Sequence, residues 1–246
     1  MKIEIKNTVI DENYPGLKNI ELAYELYGNL VVDGSLEIKL KKLLKVSEGI
    51  EAEDGIKAEK GIEAGWGIKA GEGIAVGGRI AAGAGIAAGE GISAGESIAA
   101  GEGIAAGEGI AAEEGINAGW GIDAGGSIEA GEGIETGWGI DAGGSIEAGR
   151  GIAVGGSIAA GGGIMSGGGI EAGGGIEAEE CIEAEWGIKA GLFIKCKIVI
   201  WCSYNIFAGT ATWKKAEGED MVIEAKLVDG NVKYGTVRLL SENYKE

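Results

Sequence analysis

From Ile50 to Ile206 an isoleucine stands at every sixth position without a miss, 27 in succession. Two residues after each sits a small residue, usually Ala as in Ala52 and Ala58, elsewhere Val76, Thr136, Ser166, Cys196 or Cys202. The residue between them is Glu, Lys, Asp, Asn, Ser or Ala over most of the run, and glycine usually precedes the isoleucine and follows the alanine. The unit is G-I-x-A-G-x. In an extended chain, positions i and i+2 share one face and i+1 the other. Each unit therefore predicts a three-residue strand with Ile and Ala inward, a variable residue outward, and a corner at G-x-G. A β-branched residue suits that backbone, and glycine lets a corner form without steric cost. Period six does not fit a helix of 3.6 residues per turn, and glycine costs a helix about 1 kcal/mol per site.

Three units close one coil. Residues 120–137 and 138–155 are near-duplicates, WGIDAGGSIEAGEGIETG and WGIDAGGSIEAGRGIAVG. The corner acids Glu72, Glu90 and Glu108 repeat at the same interval of 18, as do Glu96, Glu114 and Glu132, and Trp66, Trp120 and Trp138 share one phase of it. A two-sided coil closed by a pair of units is the alternative. The apolar phase extends backwards through Ile20, Leu26, Val32, Ile38 and Leu44 without the glycines. The expected fold is all-β: a single-stranded parallel β-helix, or solenoid, triangular in section and capped at both ends. Residues 1–19 are expected as an N-terminal cap and 20–208 as the solenoid, with regular hexapeptides over 49–208. About ten coils at roughly 4.8 Å each would give a shaft on the order of 50 Å. From Gly209 the pattern stops, and Met221–Leu239 reads as two strands around an Asp229–Gly230 turn, so 209–246 is expected to be a β-hairpin cap. Caps protect the open sheet edge of a last coil.

Composition removes several kinds of chemistry. With no histidine, the commonest general base and metal ligand is missing. The three cysteines, Cys181, Cys196 and Cys202, lack zinc-like spacing and read as free thiols of a reducing compartment. The 51 glycines fall on the repeat and form no phosphate-binding loop of the G-x-x-x-x-G-K-[ST] type. The N-terminal residues lack the apolar core of a signal peptide, and no run reaches the ~18 apolar residues that span a bilayer. These readings give a cytoplasmic protein, or one inside the host cell if viral, with no cofactor, no metal, no small-molecule substrate and no enzymatic activity.

Hexads with isoleucine invite comparison with the left-handed β-helix of hexapeptide acyltransferases and the related trimeric carbonic anhydrases. Both families rely on histidines, and the acyltransferases place a small inward residue two positions before the aliphatic one, where this chain has Glu, Trp, Arg or Gly. The G-x-I-x-A element, as in Gly126-Ser-Ile-Glu-Ala130 and Gly144-Ser-Ile-Glu-Ala148, resembles bactofilins, polymer-forming bacterial cytoskeletal proteins. That resemblance covers the shaft alone and implies a triangular, right-handed β-helix. In shape and charge the chain is also similar to the pentapeptide-repeat gyrase inhibitors, acidic solenoids that imitate a DNA duplex.

Charge is placed unevenly. Residues 47–190 hold 25 acids and 6 bases, a balance of −19 within a net charge of −18. Outward positions 75–111 are Ala or Ser; acids then follow at Asp123, Glu129, Glu135, Asp141 and Glu147, with Asn117 leading them. A smooth alanine zone admits close approach by another protein. An acidic zone repels phosphate, which argues against direct nucleic-acid binding, and attracts basic partners. One coil apart, Asp123 is expected to stack with Asp141 and Glu129 with Glu147, like charges that are mildly destabilising side by side. Trp66, Trp120 and Trp138 share one corner, and Trp is common at interface hot spots. These eight residues are the candidate protein-binding set. The expected function is a non-enzymatic structural or assembly scaffold offering an acidic surface to a protein partner or to copies of itself. The alternative is an acidic nucleic-acid mimic that inhibits a DNA-binding enzyme.

Overall fold

The computed structural model describes the backbone of residues 2–241 and the side chains of residues 8–241. The chain forms a parallel β-solenoid with 18 residues per coil and about 12 turns in all, divided into two compact units, residues 1–125 and 126–246. Twenty-five hexads, from Ile50–Ala52 to Ile194–Cys196, each supply one three-residue strand. The alternation expected of them is seen directly. All 27 isoleucines of the ladder are at most 2% exposed, and their small partners, including the polar Thr136 and Ser166, are buried too. Within each unit the strands pair in parallel with the strand three hexads later, Ile74 opposite Ile92 and Val76 opposite Ala94 in the first unit, Ile146 opposite Ile164 in the second. Three strands per coil exclude the two-sided alternative.

The corners explain the glycines, and the two glycine positions prove unequal. Beyond the strand pairing, Ile92 N–H donates to Gly109 C=O at 2.9 Å and Gly95 N–H to Val76 C=O at 2.9 Å. At the position after the alanine, a β-carbon would strike the carbonyl of the preceding coil: 2.1 Å from Gly83 O at Gly101, 2.0 Å from Gly89 O at Gly107. At the position before the isoleucine the clearance is wider, 3.3 Å at Gly103. That second position accepts Arg79, Ser97, Ser127, Cys181 and Phe193, of several sizes. The tighter first position departs from glycine only to Glu, at Glu53, Glu59, Glu113, Glu179 and Glu185, and after the last of these hexads to Lys197. Where it holds serine, the hydroxyl extends the ladder: Ser145 N–H donates to Ser127 Oγ at 3.1 Å, and Gly163 N–H to Ser145 Oγ at 3.2 Å.

In the first unit the parallel stack starts earlier than residue 20. Strand Lys2–Ile10 already lies in parallel on Asn29–Ile38, so these residues form part of a coil. The early coils are longer: Leu30 faces Ile50 and Leu36 faces Ile56, before Leu44 faces Ile62 at the regular interval of the hexads. The extra residues shift the register expected by counting backwards in sixes. Leu30, Leu36 and Leu44 continue the isoleucine column, while Val32 and Ile38 stack on Ala52 and Ala58. Ile20 leaves the core altogether, 38% exposed beside a short antiparallel pairing of Lys18–Asn19 with Tyr24–Glu25.

In the second unit the expected hairpin does not form. Leu227–Tyr234 is one strand, parallel to Val199–Phe207, and Thr236–Leu239 is parallel to Val222–Ala225. Asp229 and Gly230 lie inside the strand. The glycine serves close approach instead of a turn: a β-carbon there would lie 2.9 Å from Ile206 Cδ1 and 3.0 Å from Cys202 Sγ. The corner between these two strands falls at Gly235, whose φ of +118° suits glycine. Before these strands, residues 209–213 run back over earlier coils. Gly209 N–H donates to Leu192 C=O at 2.7 Å, Ala211 N–H to Gly191 C=O at 2.8 Å, and Trp213 Nε1 to Gly173 C=O at 3.4 Å.

Candidate protein-binding surface

The three tryptophans chosen from the sequence are all exposed corner residues, Trp66 by 65%, Trp120 by 63% and Trp138 by 72%. In the first unit, backbone hydrogen bonds run from coil to coil through Trp66, Ala84, Glu102 and Trp120, which places the two indoles three coils apart on one column. In the second unit Gly156 N–H donates to Trp138 C=O. A fourth exposed corner tryptophan, Trp186, lies outside the candidate set; it sits on a different column, between Gly168 and Tyr204. Its W-G-I context matches that of the others and could have revealed it.

The five acids, all exposed, divide among the sides of the triangle. Glu129, Glu135 and Asp141 stand on three consecutive strands, and therefore on three different sides of one coil. Their neighbours within the second unit are Glu147 for Glu129, Ala153 for Glu135 and Ala159 for Asp141. Asp123 belongs to the first unit, where it faces Ala105. Of the expected stacks, Glu129 with Glu147 is observed.

Most other charged neighbours on the strands complement each other. Glu51 faces Lys69, Glu171 faces Lys189, Glu177 faces Lys195, and Glu224 faces Arg238. Several close as ion pairs, at 2.5 Å for Lys189–Glu171 and 3.7 Å for Lys69–Glu51. Such exposed pairs are worth roughly 0–1 kcal/mol each. Glu129 and Glu147 break this rule, and they line a shallow groove of about 490 Å³ with Met165, Glu183 and Trp201. The first unit carries a groove of about 730 Å³ on its alanine zone, floored by Ala87 and Ala105, with Glu51 and Lys69 towards one end and Asp123 at the other.

No family model, curated protein or solved structure matches this chain. Its likeness to hexapeptide-repeat β-helices is one of architecture.

The thiols sit in surroundings that favour the protonated form. Burial pushes Cys196 up to about 11, and burial also raises Cys202. Cys181 is raised by burial and by the carboxylate of Glu183. Among the described residues no three His, Cys, Asp or Glu side chains gather as a metal site, and no helix is long and apolar enough to cross a membrane.

Proposed function

We propose that the chain is a non-enzymatic scaffold whose outward residues offer an acidic surface to a protein partner. The observation that carries this reading is the division of labour across each strand. Inward positions are filled by Ile and Ala throughout most of the hexads, so variation between coils is concentrated at outward and corner positions, where 25 acids outnumber 6 bases between residues 47 and 190. Charge on a rigid surface steers and selects partners. The test is affinity capture from a cell extract at low and high salt, followed by identification of what is bound. Enrichment of basic proteins, released as salt rises, is the expected result. Capture with no bias towards basic proteins would overturn it.

A second reading, mimicry of nucleic acid, is favoured by one column in the first unit. Asp54, Glu72, Glu90 and Glu108 follow one another on consecutive coils, linked by backbone hydrogen bonds of 3.2–3.4 Å. At roughly 4.8 Å per coil, one such column is sparser than the duplex, which carries a charge per ~1.7 Å of axis. Mimicry would therefore need several columns acting together. Inhibition of a DNA-binding enzyme that relaxes as salt rises would favour this reading over the first.

A further inference from the structure

One outward column of the second unit combines two things that are separate elsewhere. On successive strands it reads Glu129, Glu147, Met165, Glu183, Trp201 and Asp229, each facing the next. Met165, Glu183 and Trp201 are half-buried, while the other three are exposed. The first five of these residues line the groove of about 490 Å³, and no basic side chain is among its lining. The indole at Trp201 is thus flanked along the column by Glu183 on one strand and Asp229 on the next, at strand spacings of roughly 4.8 Å.

We propose that this groove is a docking site for an arginine-bearing segment of a basic protein partner, with one guanidinium at Trp201 between Glu183 and Asp229 and a second cation at Glu129 and Glu147. The proposal rests on the scaffold reading and supplies the chemistry of the partner. Charge complementarity selects the occupant: the groove offers carboxylates without a resident base, whereas Glu171, Glu177 and Glu224 already face one across the strands. Arginine is favoured over lysine because a planar, weakly hydrated guanidinium can lie against an indole while its N–H groups reach carboxylates on either side. Met165 separates the two carboxylate groups and covers the aliphatic stem of a bound side chain. A divalent ion would need several oxygens within about 2.6 Å, and no such convergence occurs among the described residues.

The test uses the full chain and three synthetic peptides of identical length, in which four basic positions are arginine, lysine or neutral citrulline. Binding is followed by fluorescence anisotropy at low salt. The arginine peptide is expected to bind about tenfold more tightly than the lysine peptide, with the citrulline peptide weakest. Glu147→Gln with Glu183→Gln should weaken the arginine peptide at least tenfold, and Trp201→Leu should abolish the preference for arginine over lysine. Removing two charges elsewhere, by Glu96→Gln with Glu114→Gln in the first unit, should change binding less than twofold. Melting curves of each variant establish that the fold is kept. The thiol of Cys181 gives a separate readout, because it lies beside Glu183 and is the least buried of the three. Bound peptide should slow its alkylation severalfold. Equal affinity for arginine and lysine, equal loss from both pairs of charge removals, or unprotected Cys181 would each overturn the groove. If the intact chain still captured basic proteins in a salt-dependent way, the scaffold reading would survive that failure.

Discussion

The regular hexads and the irregular terminal coils solve the same problem with different materials. In the hexads the core is Ile over Ile and Ala over Ala, and the corners are glycines packed against the carbonyls of the coil before. In the early coils the core is Leu, Val and Ile, and the corners take up extra residues. There, side chains supply what the tight glycine corner provides elsewhere. Gly28 N–H donates to Ser47 Oγ and Gly49 N–H to Asn29 Oδ1, both at 2.8 Å, and Asn29 Nδ2 donates to Glu48 Oε2 at 2.6 Å. A thin core that depends on backbone contact must repeat strictly. A thicker one tolerates insertions, because each larger side chain fills its own space.

The strongest way to break the hexads is to charge their core. Ile128 is fully buried, and Ile128→Asp places a carboxylate among isoleucines with no partner. Loss of the cooperative melt by circular dichroism is the expected outcome, since an unpaired buried charge costs several kcal/mol. An unchanged melting temperature would mean that Ile128 does not face inward.

Alkaline pH probes the last hexads, where Cys196 stands in an alanine position. Its folded pKa of about 11 lies above the reference 9.0. The unfolded chain therefore loses this proton first. The contribution is complete below pH 9.0 and is lost as pH rises towards about 11. A fall of up to about 2 kcal/mol from this thiol is expected over that window, and Cys196→Ala should lose that part of the pH dependence while keeping the part due to Cys202 and Cys181. Urea unfolding at a series of pH values measures it.

A gentler pair of substitutions separates the two glycine positions. Gly101→Ala forces its corner away from the carbonyl of Gly83 and should cost about 1–2 kcal/mol, while Gly103→Ala should stay within about 0.5 kcal/mol. The expected cost is moderate because Glu113 occupies the same corner position and keeps the equivalent hydrogen bond, to Ala94 C=O at 3.2 Å. That corner must have a relaxed form. Equal costs would show that glycine matters here for flexibility and not for contact.

The smallest effect belongs to the exposed ion pairs. Lys189→Ala removes the partner of Glu171 and should shift stability by less than about 1 kcal/mol, with the difference disappearing in high salt.

Where the repeat is strict, the fold is legible residue by residue, because the hexad and the three-hexad coil determine both the inward face and the partner of each strand. Where it lapses, local signals mislead. Val32 and Ile38 are inward as expected but belong to a different column, since no local signal marks a lengthened coil. Asp229-Gly230 has the composition of a turn, and only the packing of Gly230 on Ile206 and Cys202 reveals a strand. The candidate surface is partly legible. The coil interval pairs Glu129 with Glu147, but it gives no reason to single out their neighbours Met165, Glu183 and Trp201. They emerge only when one outward column is followed past its acids.

The interval at which the coils pair also sets how this chain can change length. Within the hexads of either unit, gaining or losing three hexads together returns every downstream strand to its own column, so whole coils can be copied or deleted as interchangeable parts. A change of a single hexad keeps every isoleucine inward yet moves each outward residue downstream onto the next side of the triangle. The core would not register the difference, but any surface that reads a column would be scrambled. Selection against single-hexad slips, with tolerance of whole-coil ones, would thus be a genetic signature that the columns are read by something.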